Sequence, residues 1–292
     1  PMNLSRVLAP LSSIVVLLAL LFVAAAPAQA QTTWTGTTGN WATGGNWSNG
    51  VPVSNADAFI NNSGTATLTG SGAVNSLFVG YNAAGSFTID GGSLASSYEV
   101  YIGYSANGTA SITSGSWNAT STNIYVGLVS GSSTFTISGG TVSSANGIVG
   151  HAGATGTTTV SGGSWTTSGD MSIGQDGGTG TLTLSGGNVT AGALRFALNT
   201  TSHGTVNLNS GVLLTAEVSE GTGSGGAHLN FNGGTLRASA ANSSFFSGLD
   251  AGDVQLLAGG GTIDTNGHNI GIATAIQGAG SLTKTGTGTL TL

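Results

Sequence analysis

Ten carboxylates give this chain its widest scope for chemistry: Asp57, Asp90, Glu99, Asp170, Asp176, Glu217, Glu220, Asp250, Asp253 and Asp264. Cleavage of a glycosidic bond needs two such groups converging on one cleft, about 5 Å apart when one of them is the nucleophile and farther apart when a water stands between them. The spacing here does not supply a pair. Asp170 and Asp176 flank one apolar segment, Glu217 and Glu220 follow about two repeat lengths later, and Arg195 and Arg237 are single cations, solvated or paired with a nearby acid. Gly174-Gln175-Asp176-Gly177-Gly178 has the glycines and aspartate of a calcium-binding nonapeptide, but the pattern does not recur from unit to unit, and it reads as a turn. His151, His203, His228 and His268 fall in different units without a fixed partner, and cysteine is absent, which removes thiolate metal sites and disulfides. The expectation is no catalytic residue, no metal ligand and no cofactor: not an enzyme.

What positions these residues is a repeat. Its clearest copy is Gly180-Thr181-Leu182-Thr183-Leu184-Ser185-Gly186-Gly187-Asn188-Val189-Thr190. The apolar residue before the glycines recurs at Ile89, Ile112, Ile137, Val160, Leu184, Leu208 and Phe231, at intervals of 23 to 25 residues. A second glycine keeps step at Gly92, Gly115, Gly140, Gly163, Gly187, Gly211 and Gly234, followed by a large apolar residue at Leu94, Trp117, Val142, Trp165, Val189, Leu213 and Leu236. A further apolar segment recurs at Val79, Ile102, Val126, Val149, Ile173 and Phe196, mostly followed by glycine. Each unit thus carries three short strands, and a period of this length means stacked units that bury their apolar faces only against neighbours. Alternation points Phe135/Ile137, Leu182/Leu184 and Val206/Leu208 inward and Thr134/Thr136, Thr181/Thr183 and Thr205/Asn207 outward. The fold class that follows is all-β, a parallel β-helix solenoid of about 23–25 residues per coil. Trp117 and Trp165, at a position that also accepts Leu and Val, read as core.

Composition agrees. Glycine accounts for 52 of 292 residues and charged residues for 5%, far from the roughly 7% glycine and 25% charge of ordinary domains. Without Arg6, which belongs to the leader described next, three basic and ten acidic residues remain, a net charge of −7. That balance argues against nucleic acid, whose binding needs clustered Lys and Arg.

Four segments follow in order. Residues 1–30 read as a helical secretory signal peptide: Arg6, an apolar run from Ile14 to Ala26, and Ala28-Gln29-Ala30 as the cleavage site. The mature chain then carries no membrane span. Residues 31–63 break the repeat and hold Trp34, Trp41 and Trp47, read as a cap over the first rung of the stack, with a sugar-binding aromatic platform as the alternative. Residues 64–250 are the repeat body, with residues 237–253 read as an irregular insertion. Residues 251–292 continue the stack and stop inside a strand pattern, read as a truncation of a longer protein.

The coil G-x-L-T-I-S-G-G-x-V, with Ile173-Gly174 as its third strand, resembles the repeat of autotransporter passengers and PEP-CTERM-sorted exoproteins. Gly280 to Leu292 resembles the autotransporter-associated β-strand repeat, and Trp41, Trp47, Pro52 and Asp57 are similar to passenger N-termini. The resemblance implies a Gram-negative export substrate with a right-handed β-helix, secreted or displayed at the outer membrane. Its partners would be the export machinery or a β-barrel translocator, and a host-cell, glycan or matrix ligand. The function expected is a structural, adhesin-like surface protein. The rival readings are a polysaccharide-acting β-helix enzyme and a module that binds glycan or ice through its outward Thr column.

Overall fold

A computed structural model of the chain describes residues 30–199, 201–222 and 226–292. The chain divides into Pro1–Ala30 and Gln31–Leu292. Apart from Ala30, the whole described structure belongs to the second unit, and the leader lies outside the described residues up to residue 29. Among the described residues no helix is long and apolar enough to cross a membrane.

The second unit is an all-β solenoid of about 11 turns, with about 23 residues per coil. Three segments of each coil stack on the equivalent segments of the next. The first face is a 10-stranded sheet that includes Leu77–Val79, Val100–Ile102, Ile124–Val126, Met171–Gln175 and Leu194–Phe196. The second face carries Thr65–Leu68, Ser132–Ile137 and Thr155–Val160, and the third Ser71–Val74, Thr141–Ser144 and Ser164–Thr167. Where the corner between these two faces is smooth, one strand runs through both, as in Gly85–Ser96, Gly108–Ala119 and Thr179–Thr190. The pairs are parallel and hold the repeat's own register: Ile137 beside Val160, Val160 beside Leu184, Leu184 beside Leu208.

Alternation then decides burial. Leu182, Leu184, Val206 and Leu208 are fully enclosed, while Thr181, Thr183, Thr205 and Asn207 keep contact with solvent. Each enclosed side chain is worth roughly 1.5–3 kcal/mol, and its neighbours above and below come from other coils, so no coil is stable alone. Trp117 and Trp165 are in this core, at 1% and 0% exposure.

Glycines turn the corners. Gly80, Gly103, Gly127, Gly150 and Gly174, the residues that close the first-face segments, all have φ between 74° and 81°. At Gly150 a Cβ would also stand 2.1 Å from the carbonyl oxygen of Thr179 in the next coil. Chirality and space both demand glycine there.

Two segments add to the sequence reading. Trp34, Trp41 and Trp47 are buried against one another and against Phe87, which rules out an exposed platform. Their segment also builds stack, since Ala56–Ile60 pairs with Leu77–Val79 and Thr38–Asn40 with Thr65–Leu68. Residues 237–253 belong to a coil of the stack, with a longer connection between two of its strands. Thr235–Ala238 lies on the third face, Phe246–Ser247 pairs with Val218–Ser219 on the first, and Phe245 and Phe246 fill the interior. That longer connection masks the period.

Candidate functional site

On the first face each short strand has two inward residues and one outward residue between them. Phe59, Phe78, Tyr101 and Tyr125 occupy that outward position in four successive coils, in direct register. Stacking follows from the register. Ring centroids lie 4.6 Å apart for Phe59 and Phe78, 4.8 Å for Phe78 and Tyr101, and 5.4 Å for Tyr101 and Tyr125, with interplanar angles of 6°, 28° and 23°. The faces of these rings are therefore spent on one another, and each pair adds about 0.5–1.5 kcal/mol beyond area burial. Ile148, Ser172, Arg195 and Ser219 continue the position after Tyr125 and end the aromatic run.

A second aromatic column stands beside it. Tyr81 and Tyr104 directly follow the corner glycines Gly80 and Gly103, so the turn aims both side chains along the outside of the first face. Their planes stand at 76° and 83° (Tyr81 to Phe59 and Phe78) and at 60° and 88° (Tyr104 to Phe78 and Tyr101). The two tyrosines are 5.1 Å apart, and they stay outside the ladder's stack. Phe59, Phe78 and Tyr101 of the ladder, with Tyr81 and Tyr104, line a groove of about 290 Å³ that Gln31 and Asp57 bound at its N-terminal end.

The groove's electrostatics are acidic and low in mobile charge. Burial pushes the Glu99 carboxyl above its ordinary range. Burial, then the charge of Glu99, pushes the phenols of Tyr101 and Tyr125 upward as well. Both phenols remain neutral donors across the physiological range. One carboxyl oxygen of Glu99, Oε2, is buried and accepts no hydrogen bond among the described residues. Asp57 Oδ1 accepts from Asn75 Nδ2 at 2.9 Å and from the Ser76 backbone N–H at 3.1 Å.

The residues singled out for chemistry are placed otherwise. Arg195 Nε lies 2.6 Å from Asp170 Oδ2 and its Nη1 3.9 Å from Glu217 Oε1, so one cation ties acids of the coils on either side of it. Arg237 Nε pairs with Asp264 Oδ2 at 2.6 Å. His151, expected without a partner, has one: its Nε2 is 3.0 Å from Asp176 Oδ2, and its Nδ1 is 3.3 Å from the Leu128 carbonyl oxygen. The ring is thus held between the Leu128 carbonyl and the Asp176 carboxylate. Asp176 has φ 51° and Gly177 φ 83°, so the Gly174–Gly178 segment is a turn.

Glu220, Asp250 and Asp253 do converge, although sequence separation made them look isolated. Burial, then the charge of Asp253 and a hydrogen bond to it, raises the Glu220 carboxyl to about 7. Among the described residues no group of three or more His, Cys, Asp or Glu side chains is arranged to hold a metal ion. The outward Thr columns bond largely within themselves, as Thr88 with Ser111 at 3.0 Å and Asn207 with Thr183 at 3.3 Å.

The outward aromatic residues, though not the groove they form, were legible in the repeat. Phe78-Val79-Gly80-Tyr81 and Tyr101-Ile102-Gly103-Tyr104 repeat one pattern a coil apart, and the residue between two inward apolar ones must point out. No protein-family model, curated protein or solved structure matches the chain.

Proposed function

We propose that this chain is an exported, non-enzymatic β-helix of the adhesin-like kind, secreted or held at the bacterial surface, which meets its partner through the aromatic groove of its first face. One observation carries the reading: Phe59, Phe78, Tyr81, Tyr101, Tyr104 and Tyr125 form a continuous aromatic surface on the outside of a solenoid whose other outward positions are mostly Thr, Ser, Asn and Gly. Stacking accounts for the ladder rings, but Tyr81 and Tyr104 lie outside that stack, with Tyr81 exposed, at a surface where Thr fills outward strand positions equally well. The leader pattern of residues 1–30 supports export. Against catalysis stand the pairing of Asp170, Asp264 and Asp176 with Arg195, Arg237 and His151, and the distance in sequence and coil between the groove and the Glu220 cluster.

Expression of the full chain in a Gram-negative host tests this. A product beginning at Gln31, outside the cytoplasm and open to protease on intact cells, is the expected result. A cytoplasmic product with its leader intact overturns the reading, and turnover of any member of a pectin and glycan panel replaces it with the enzyme.

A further inference from the structure

We infer that the groove binds a neutral saccharide chain, laid parallel to the axis of the coil stack. The inference rests on the proposed reading of this face as a contact surface and adds the chemistry and direction of the ligand.

Direction comes from the repeat. Tyr81 and Tyr104 offer equivalent rings one coil apart, 5.1 Å between centroids. They stand across the edges of the ladder rings and outside its stack, so the ladder takes at most one face of each ring, and Tyr81 stays exposed. A linear chain running along the axis meets such a ring at successive coils. A chain crossing the face meets one corner tyrosine and the edge of one ladder ring, and then leaves the aromatic surface. From Phe59 to Tyr101 the groove spans two coil steps, about 10 Å at ~4.8 Å each, the scale of a short oligosaccharide.

Chemistry comes from what lines the groove. Pyranose rings have apolar C–H faces that pack on aromatic faces, and hydroxyl edges that need donors and acceptors. Tyr81 and Tyr104 supply faces, and the edges of Phe59 and Phe78, where the ring quadrupole is positive, favour hydroxyl oxygens. Gln31 and Asp57 supply polar atoms at one end. The groove's volume of about 290 Å³ lies at the lower bound of small-ligand sites.

Charge selects within the saccharides. Asp57 borders the groove and Glu99 lies within electrostatic reach of Tyr101 and Tyr125. Among the described residues no Lys or Arg lines it. The nearest cation on this face in register, Arg195, comes three coils after Tyr125 and is already held by Asp170 and Glu217. Uronate, sulfate or sialate groups would meet like charge in a partly desolvated site without a counter-ion.

The test is a binding panel with the full exported chain: neutral glucan, mannan, galactan and xylan against polygalacturonate and alginate, by affinity electrophoresis and calorimetry. Binding to at least one neutral polymer is expected, little changed by salt, with Tyr81→Ala and Tyr104→Ala each weakening it roughly three- to tenfold. Tyr98→Ala, an exposed tyrosine that does not line the groove, should leave it unchanged. Circular dichroism and melting of each variant confirm that the stack is intact. No binding to any neutral polymer, stronger binding to the anionic ones, or full affinity in a folded Tyr81→Ala/Tyr104→Ala double variant overturns the inference. None of these outcomes depends on where the cell places the chain, so failure here and failure of the export reading are told apart.

Discussion

Trp117 and Ser96 sit one coil apart in the interior, joined by a buried hydrogen bond of 3.0 Å from Nε1 to Oγ, and Trp165 and Ser144 repeat the relationship at 2.9 Å. A repeat position that holds Leu94 or Val142 in other coils makes no polar demand. Trp does, and the demand is met by the preceding coil. Where a coil is followed by Val142 rather than Trp, the equivalent of Ser96 is Ala119. Trp34 and Trp41 at the first coils lack this device: their Nε1 groups are buried without a partner among the described residues.

Ser96→Ala should therefore cost about 1–3 kcal/mol, the penalty of an unsatisfied buried N–H. Denaturant unfolding checks it, together with a double-mutant cycle. Trp117→Phe should cost less in the Ser96→Ala background than alone, because it removes the orphaned donor. Additive costs would mean that the bond contributes nothing.

Leu184→Asp should destabilise the stack by more than about 4 kcal/mol, since it puts a carboxylate in a column formed by Val160 and Leu208 with no cation in reach. Thr183→Lys, one residue away and facing out, should stay within about 0.5 kcal/mol. Equal melting temperatures for the two variants would reverse the assignment of inside and outside.

Legibility followed periodicity. Wherever strands recur at a constant interval, as at Ile137, Val160 and Leu184, alternation and register could be read residue by residue, because parallel stacking puts equivalent positions in contact. Contacts between non-equivalent positions were harder. Glu220, Asp250 and Asp253 meet only because the coil containing Phe245 and Phe246 takes an unusual path, and His151 finds Asp176 because a turn with positive φ brings the carboxylate round. The aromatic groove is a third case. Its parts are periodic, but its existence depends on the tilt of Tyr81 and Tyr104, which strand pattern does not encode.

Gly150 and Gly153 separate two reasons for glycine. Both have positive φ, 74° and 86°, but a Cβ at Gly150 meets the Thr179 carbonyl oxygen at 2.1 Å, and at Gly153 it meets nothing within 4 Å. Gly153→Ala should cost about 1–2 kcal/mol of left-handed strain. Gly150→Ala should cost clearly more, because the obstructing atom belongs to the next coil's backbone and moves only if the coils part. Thermal melts of the two variants side by side decide it.

Stability should fall between about pH 4.5 and pH 7 on account of Glu220. Burial, with Asp253 and Asp250 close by and only the Ala227 backbone hydrogen bond favouring the charged form, raises its carboxyl from 4.5 to about 7. Over that window the folded state holds a proton that the unfolded state has released, so the contribution is fully present below the unfolded value and lost as pH rises through the folded one. Glu99, raised by burial, acts in the same direction. Asp264 acts oppositely. Burial works against its charge, but the Asn266 backbone N–H and Arg237 outweigh it and hold the carboxyl low, so stability is lost there as pH falls into the acid range. The melting temperature should accordingly be higher near pH 5 than near pH 8, and Glu220→Gln should flatten that difference by raising the value at pH 8. Glu220 is only partly buried, so solvent screening keeps the effect modest. A melting temperature that rises from pH 5 to pH 8 in the native chain, or a Glu220→Gln variant with the full native pH dependence, would show that burial and the neighbouring Asp253 do not raise the Glu220 carboxyl in the folded state.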